Sequence, residues 1–307
     1  MELYFAPDGD DGNAGTEASP KRDPSRARAD AIWLKRGGVY RPQGRVKLVT
    51  MLGAYGSGYR PVLHGGGVQG IAIDAIDAVG ATVQDISITG YRSHGIHAGL
   101  SSGDPAARRA LTFQRLGISN ILGERDSYGI QAWGAGITYS DLVIDRVRAD
   151  CLWHNGADIT IRGVTLLNAS ALDEGIGDCL QTLNLRDFVD IRGLTTIHNT
   201  PDKQAVLLSG SGTLKRCVID GLTAEGYASG AGLVTIQGLR GIVGKAWNIT
   251  MRGGPSNTGV FFLDGASGTL AGGSLIGFPG AVAVRGDGGF VFAHSFAKSG
   301  WQSPGVA

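Results

Sequence analysis

The chain has 307 residues, of which 42% are hydrophobic and 18% charged, with a formal net charge of +1. That balance suits a soluble protein and lacks the basic excess of a nucleic-acid-binding surface, so no nucleic-acid partner is expected. No apolar run approaches the length that spans a bilayer, so no membrane insertion is expected either.

There are 51 glycines against 10 prolines, and the glycines show no collagen period. In a chain rich in Val, Ile, Leu and Thr, this composition implies many short strands joined by tight turns. The three cysteines, Cys151, Cys179 and Cys217, have no Cys-x-x-Cys spacing. Neither a zinc site nor a disulfide framework is indicated.

The first thirty residues open with "MELYFAPDGDDGNAGTEASP". This stretch is acidic and lacks the basic-then-apolar layout of a signal peptide, which leaves a removed signal or release by lysis as routes outward. Short alternating runs follow, including "ATVQDISITG", "SDLVIDRVRA", "DITIRGVTLLNA" and "FVDIRGLTTIHN". Helical periodicity is nearly absent; the best candidate, "DPAARRALTFQR", turns strand-like in its second half.

A second kind of strand recurs between these runs, entered through a small or turn-type residue. It begins at Gly95, Gly129, Cys151, Cys179, Ala205, Gly232, Gly259 and Ala281, with most offsets in the twenties. A strand-built repeat of that length is the mark of a solenoid, in which each turn shares its core with the next. Leucine-rich repeats would need a Leu-x-x-Leu-x-Leu-x-x-Asn frame, and propeller blades would need longer repeats. The expected fold is all-β, a right-handed parallel β-helix of roughly ten coils. Residues 1–30 form an entry or cap segment, 31–290 the solenoid, and 291–307 a tail or cap.

"YFAPDGDDGNAGTEASP", followed by "AIWLKRGGVYR" and "LGAYGSGYRPVLHG", resembles the entry segment and next coils of the pectate-lyase-like β-helix superfamily. That group includes polysaccharide lyases and phage tailspike depolymerases. "KRDPSRARAD" stands where the group usually has a helical segment, so the end cap departs from the pattern. The resemblance implies an extracellular or virion-associated protein acting on a polysaccharide, and a homotrimer if it follows the tailspikes.

Coil alignment gives columns of equivalent residues about 4.8 Å apart. The strand-entry column reads His94, Tyr128, Asp150, Asp178, Gln204. Two positions further on, Ile96, Ile130, Leu152, Leu180 and Val206 should point inward. The next residues, His97, Gln131, Trp153, Gln181, Leu207, Val234, Phe261 and Ala283, should point outward. The first four of this outward column suit a sugar chain, with Trp153 stacking on a sugar face. The last four are apolar and call for a cover, such as a neighbouring subunit.

Asp150 and Asp178 are the candidate catalytic carboxyls, since stacking at one strand spacing matches the carboxyl separation of retaining glycosidases. Repulsion between them would hold a proton on one, or be relieved by a bridging Ca2+, although no cofactor is required. Lys203 could neutralise a uronate or abstract a ring proton. His94, His97, Tyr128, Gln131, Trp153, Gln181 and Gln204 are the candidate substrate contacts.

Plainer roles compete with each of these. Asp at a strand entry commonly caps turn amides. His154 reads as a core histidine, His198 as a corner residue, Asn199 as a rung of a corner ladder, and Cys151 and Cys179 as stacked half-buried thiols. Three functions follow: a polysaccharide lyase or glycosidase, a non-catalytic carbohydrate-binding spike, or a purely structural module. The contiguous polar block disfavours the third.

Overall fold

The computed structural model describes residues 1–99, 104–172, 177–198, 203–226, 233–251, 260–276, 290–292 and 296–298. Among the described residues every pairing between strands is parallel, the strands stack coil on coil into a solenoid of about nine turns, and there is one short 3-10 helix, Pro24–Arg26. The "DPAARRALTFQR" segment carries the strand Thr112–Gln114 and no helix.

Three stacks of strands run along the molecule. The first begins with Glu2–Phe5 on Ala31–Lys35, so the N-terminal segment itself supplies a rung. It continues through Met51–Tyr55, Thr82–Gln84, Thr112–Gln114 and Ile137–Ser140. The second runs through Val62–His64, Ser87–Thr89, Gly117–Ile121 and Val143–Val147. The third runs through Ile71–Ala75, His94–Ala98, Tyr128–Trp133, Leu152–Asn155, Leu180–Leu185 and on to Val206 and Val234.

Between the first two stacks the chain bends at a single residue in the left-handed region. This bend falls at Asp85, Arg115, Asp141, Gly163, Gly193 and Gly221, coil after coil. One such residue reverses the side-chain alternation and swings the next strand into a new plane, so one long strand such as Ile159–Leu167 serves two stacks. Two of the non-glycine bend residues pair across coils: Arg115 donates two hydrogen bonds to Asp85, at 2.9 and 2.8 Å.

Each strand sends alternate residues inward, and those residues make one continuous core. Ile96, Ile130, Leu152, Leu180 and Val206 are all fully buried, as the column reading expects. Asn120 and Asn168 lie at the corner after the second stack, both with positive φ. Asn120 donates to Thr89 on the preceding coil and Asn168 to Asp145. Asn199, expected in such a ladder, lies outside the described residues.

Candidate functional site

The outer wall of the third stack gathers the candidate substrate contacts. His94 pairs with Tyr128, and His97 with Gln131; Gln131 in turn pairs with Trp153, and Trp153 with Gln181. Strand alternation points His97, Gln131, Trp153 and Gln181 away from the core, His94 and Tyr128 stand beside them at the strand entry, and each of the six is half-buried. Trp133, two residues beyond Gln131 on the same face, adjoins them and is buried, at 8% exposure.

The rings touch in a continuous patch. Trp133 and Trp153 have centroids 4.8 Å apart, Tyr128 and Trp153 6.2 Å, and His97 and Trp133 5.4 Å. His94 stacks on His97 at 4.9 Å and lies 5.4 Å from Tyr128. Gly99 makes room at the end of its strand. It has φ +76°, and a Cβ there would stand 2.6 Å from the Trp133 carbonyl oxygen.

Hydrogen bonding orients the polar members. Gln131 Oε1 can only accept, so His94 Nε2–H donates to it at 2.6 Å, and Ser93 Oγ–H donates to the remaining nitrogen, Nδ1. This tautomer leaves the Gln131 amide hydrogens for another acceptor. Burial pushes the His94 pKa down to about 4, so the ring is neutral at ordinary pH. Burial also depresses His97, whose Nδ1 is buried without a partner. Tyr128 is pushed up to about 12, first by burial and then by Asp150 and Asp126, so it keeps its hydroxyl proton.

Asp150 and Asp178 stack as the 28-residue spacing predicts, but both are only 3% exposed. Asp150 Oδ1 accepts from the Asp178 backbone N–H at 2.6 Å, and Asp178 Oδ1 accepts from the Gln204 N–H at 3.0 Å. Each carboxyl therefore secures the entry of the next coil, as the amide-capping alternative describes. Burial raises both pKa values, and for Asp150 the neighbouring Asp178 adds to the rise. Lys203, half-buried, opposes that rise at both carboxyls.

The pair does not fit a Ca2+ site. Calcium takes six to eight oxygens, whereas one oxygen of each carboxyl already accepts an amide. Among the described residues, no three His, Cys, Asp or Glu side chains gather to hold a metal.

Three smaller readings need correction and one stands. Val234 is not in the outward column: Leu207 pairs with Thr235, while Val234 is fully buried opposite Val206. Thr235 is itself only 1% exposed, so the expected apolar ladder breaks at this coil and no longer argues for a covering subunit. Ala283 lies outside the described residues.

His198 does stand at its corner, yet its side chain is fully buried, with Nδ1 3.8 Å from Cys179 Sγ. Cys151 and Cys179 are fully buried, not half-buried. His154 is the core histidine expected, held by Tyr139 Oη at 3.0 Å and the Gly156 carbonyl at 3.2 Å.

The stacking and the wall together define a parallel β-solenoid with an aromatic, hydrogen-bonding face. No family model matches the sequence, and no curated protein matches it. Among solved structures, the chain is similar to the GH136 lacto-N-biosidase from Eubacterium ramulus, at 12% identity and TM-score 0.57, covering 97% of this chain and 67% of that one. It is also similar to the A-module of the mannuronan C-5 epimerase AlgE4 from Azotobacter vinelandii, at 13% identity and TM-score 0.51, covering 97% of this chain and all of that module. At these identities the likeness concerns the fold, and it agrees with the β-helix resemblance of the opening segment.

Proposed function

We propose that the protein binds a polysaccharide along the outer wall of the third stack. One observation carries this reading: five rings, His94, His97, Tyr128, Trp133 and Trp153, form one continuous patch flanked by Gln131 and Gln181. Ring faces suit the C–H faces of sugars, and side-chain amides suit their hydroxyls. Strands set one step apart would offer successive contacts to a chain lying across the coils. The solved structures of similar fold, a lacto-N-biosidase and a mannuronan epimerase, fit this reading. Gln204 would extend the contact at the strand-entry end. Affinity measured on a glycan panel tests the proposal: Trp153→Ala should weaken binding without unfolding the chain, and unchanged affinity would move the site elsewhere.

Cleavage of the bound chain is a second reading, favoured by the Asp150–Asp178 stack beside Lys203. Carboxyls raised by burial include one that keeps its proton near neutrality, as an acid catalyst requires. In hydrolysis one carboxyl would donate to the leaving oxygen while the other would attack or activate water; in elimination Lys203 would neutralise a uronate carboxylate or take the ring proton. To do so, a carboxyl must release the amide it now caps. New reducing ends would report hydrolysis and new unsaturated ends elimination; retention of glycan with neither leaves a binding protein. An extracellular or virion-borne setting and a homotrimer belong to the same proposal, supported by the resemblance of the opening segment. Sedimentation equilibrium tests the trimer.

A further inference from the structure

We propose that the wall takes a neutral glycan, one built of uncharged sugars, and discriminates against polyuronates; this rests on the wall being the binding face. A polyuronate carries a carboxylate on each sugar, so a site built for it needs cations with charge to spare. The wall has none. Its central members are Tyr128, Gln131, Trp133, Trp153 and Gln181, and its two histidines are held neutral by burial.

Arg45 and Lys203 are cations with electrical influence near the wall, and neither is felt at Tyr128. Arg45, felt at His97, is bonded to Asp74 at 3.1 Å. Lys203 acts on Asp150 and Asp178 together. Asp126, by contrast, acts on Tyr128 as a negative charge, after burial and Asp150.

What the wall does offer is hydrogen bonding without charge. The Ser93–His94 chain occupies the Gln131 carbonyl oxygen, which leaves the amide hydrogens as donors that a sugar hydroxyl or an acetamido oxygen would use.

The test is equilibrium binding of the full chain to immobilised glycans. One set comprises neutral hexose and N-acetylhexosamine oligosaccharides, the other oligogalacturonate and oligomannuronate, each at low and high salt. The expected result is retention of a neutral oligosaccharide with a dissociation constant that changes less than about twofold with salt, and loss of that retention by about tenfold in Trp153→Ala. Tighter, salt-sensitive binding of a uronate that Trp153→Ala also weakens would overturn the neutral assignment and leave the wall as the site. Binding that Trp153→Ala and Trp133→Ala both leave unchanged, or no binding to either set, would overturn the wall and the assignment together.

Discussion

Asp150 and Trp153 lie three residues apart at one rung of the third stack, and they meet opposite fates. The carboxyl is drawn in and spends its oxygen on the amide of the next coil, while the indole stays on the outer wall among other rings. Their upstream counterparts differ again. At the strand entry, His94 and Tyr128 remain half-exposed and belong to the wall, whereas Asp150 and Asp178 are closed off. One column can thus pass from wall-facing to backbone-supporting within a single rung.

The largest effect expected from breaking this contrast is on stability. Asp150→Ala removes the acceptor for the buried Asp178 N–H and should cost about 1–3 kcal/mol in denaturant unfolding. Trp153→Ala should cost about 1 kcal/mol through lost ring contact while affecting glycan affinity more than folding. If the two substitutions exchanged these profiles, the division between wall and ladder would be wrong.

The next effect is on pH dependence, and its sign differs between the two regions. Asp178 has a folded pKa near 7, raised chiefly by burial, against about 4 unfolded. The folded state binds the proton more tightly, so this contribution is full below about pH 4 and is lost as pH rises through 7. Asp178→Asn should flatten the alkaline side of a melting-temperature profile. His154 runs the other way. Burial lowers it to about 4, so its contribution is full above about pH 6.5 and is lost as pH falls through 4. His154→Gln should flatten the acid side.

The smallest effect sharpens the polar half of the wall. His94→Ala frees the Gln131 amide to rotate and should weaken glycan binding by a few fold, about 0.5–1.5 kcal/mol for one hydrogen bond. Calorimetry should show the loss with little change in unfolding midpoint. Added Ca2+ or a chelator should leave the melting temperature unchanged; a rise with Ca2+ would argue for a metal bridge between the acids.

The solenoid and its register were legible because inward Ile, Leu and Val recur at one place in every coil. The register slipped by one at Gly232 because both Leu233 and Val234 enter the core, so alternation gave no phase there. Stacking of the two acids was also legible from their spacing. Their closure was not, since it depends on an amide of the following coil, and sequence alternation says nothing about which way a strand-entry side chain turns. Trp133 could have been assigned from its two-residue offset to Gln131. The ring patch as a whole needed the contacts between coils.

The left-handed bend shared by Asp85, Arg115, Asp141, Gly163, Gly193 and Gly221 has a consequence for how such a molecule can change over generations. Because each turn corners with the same local geometry, a whole turn could be duplicated or excised and its neighbours would still meet edge to edge. The outer wall would lengthen or shorten by one rung at a time without redesign of the interior.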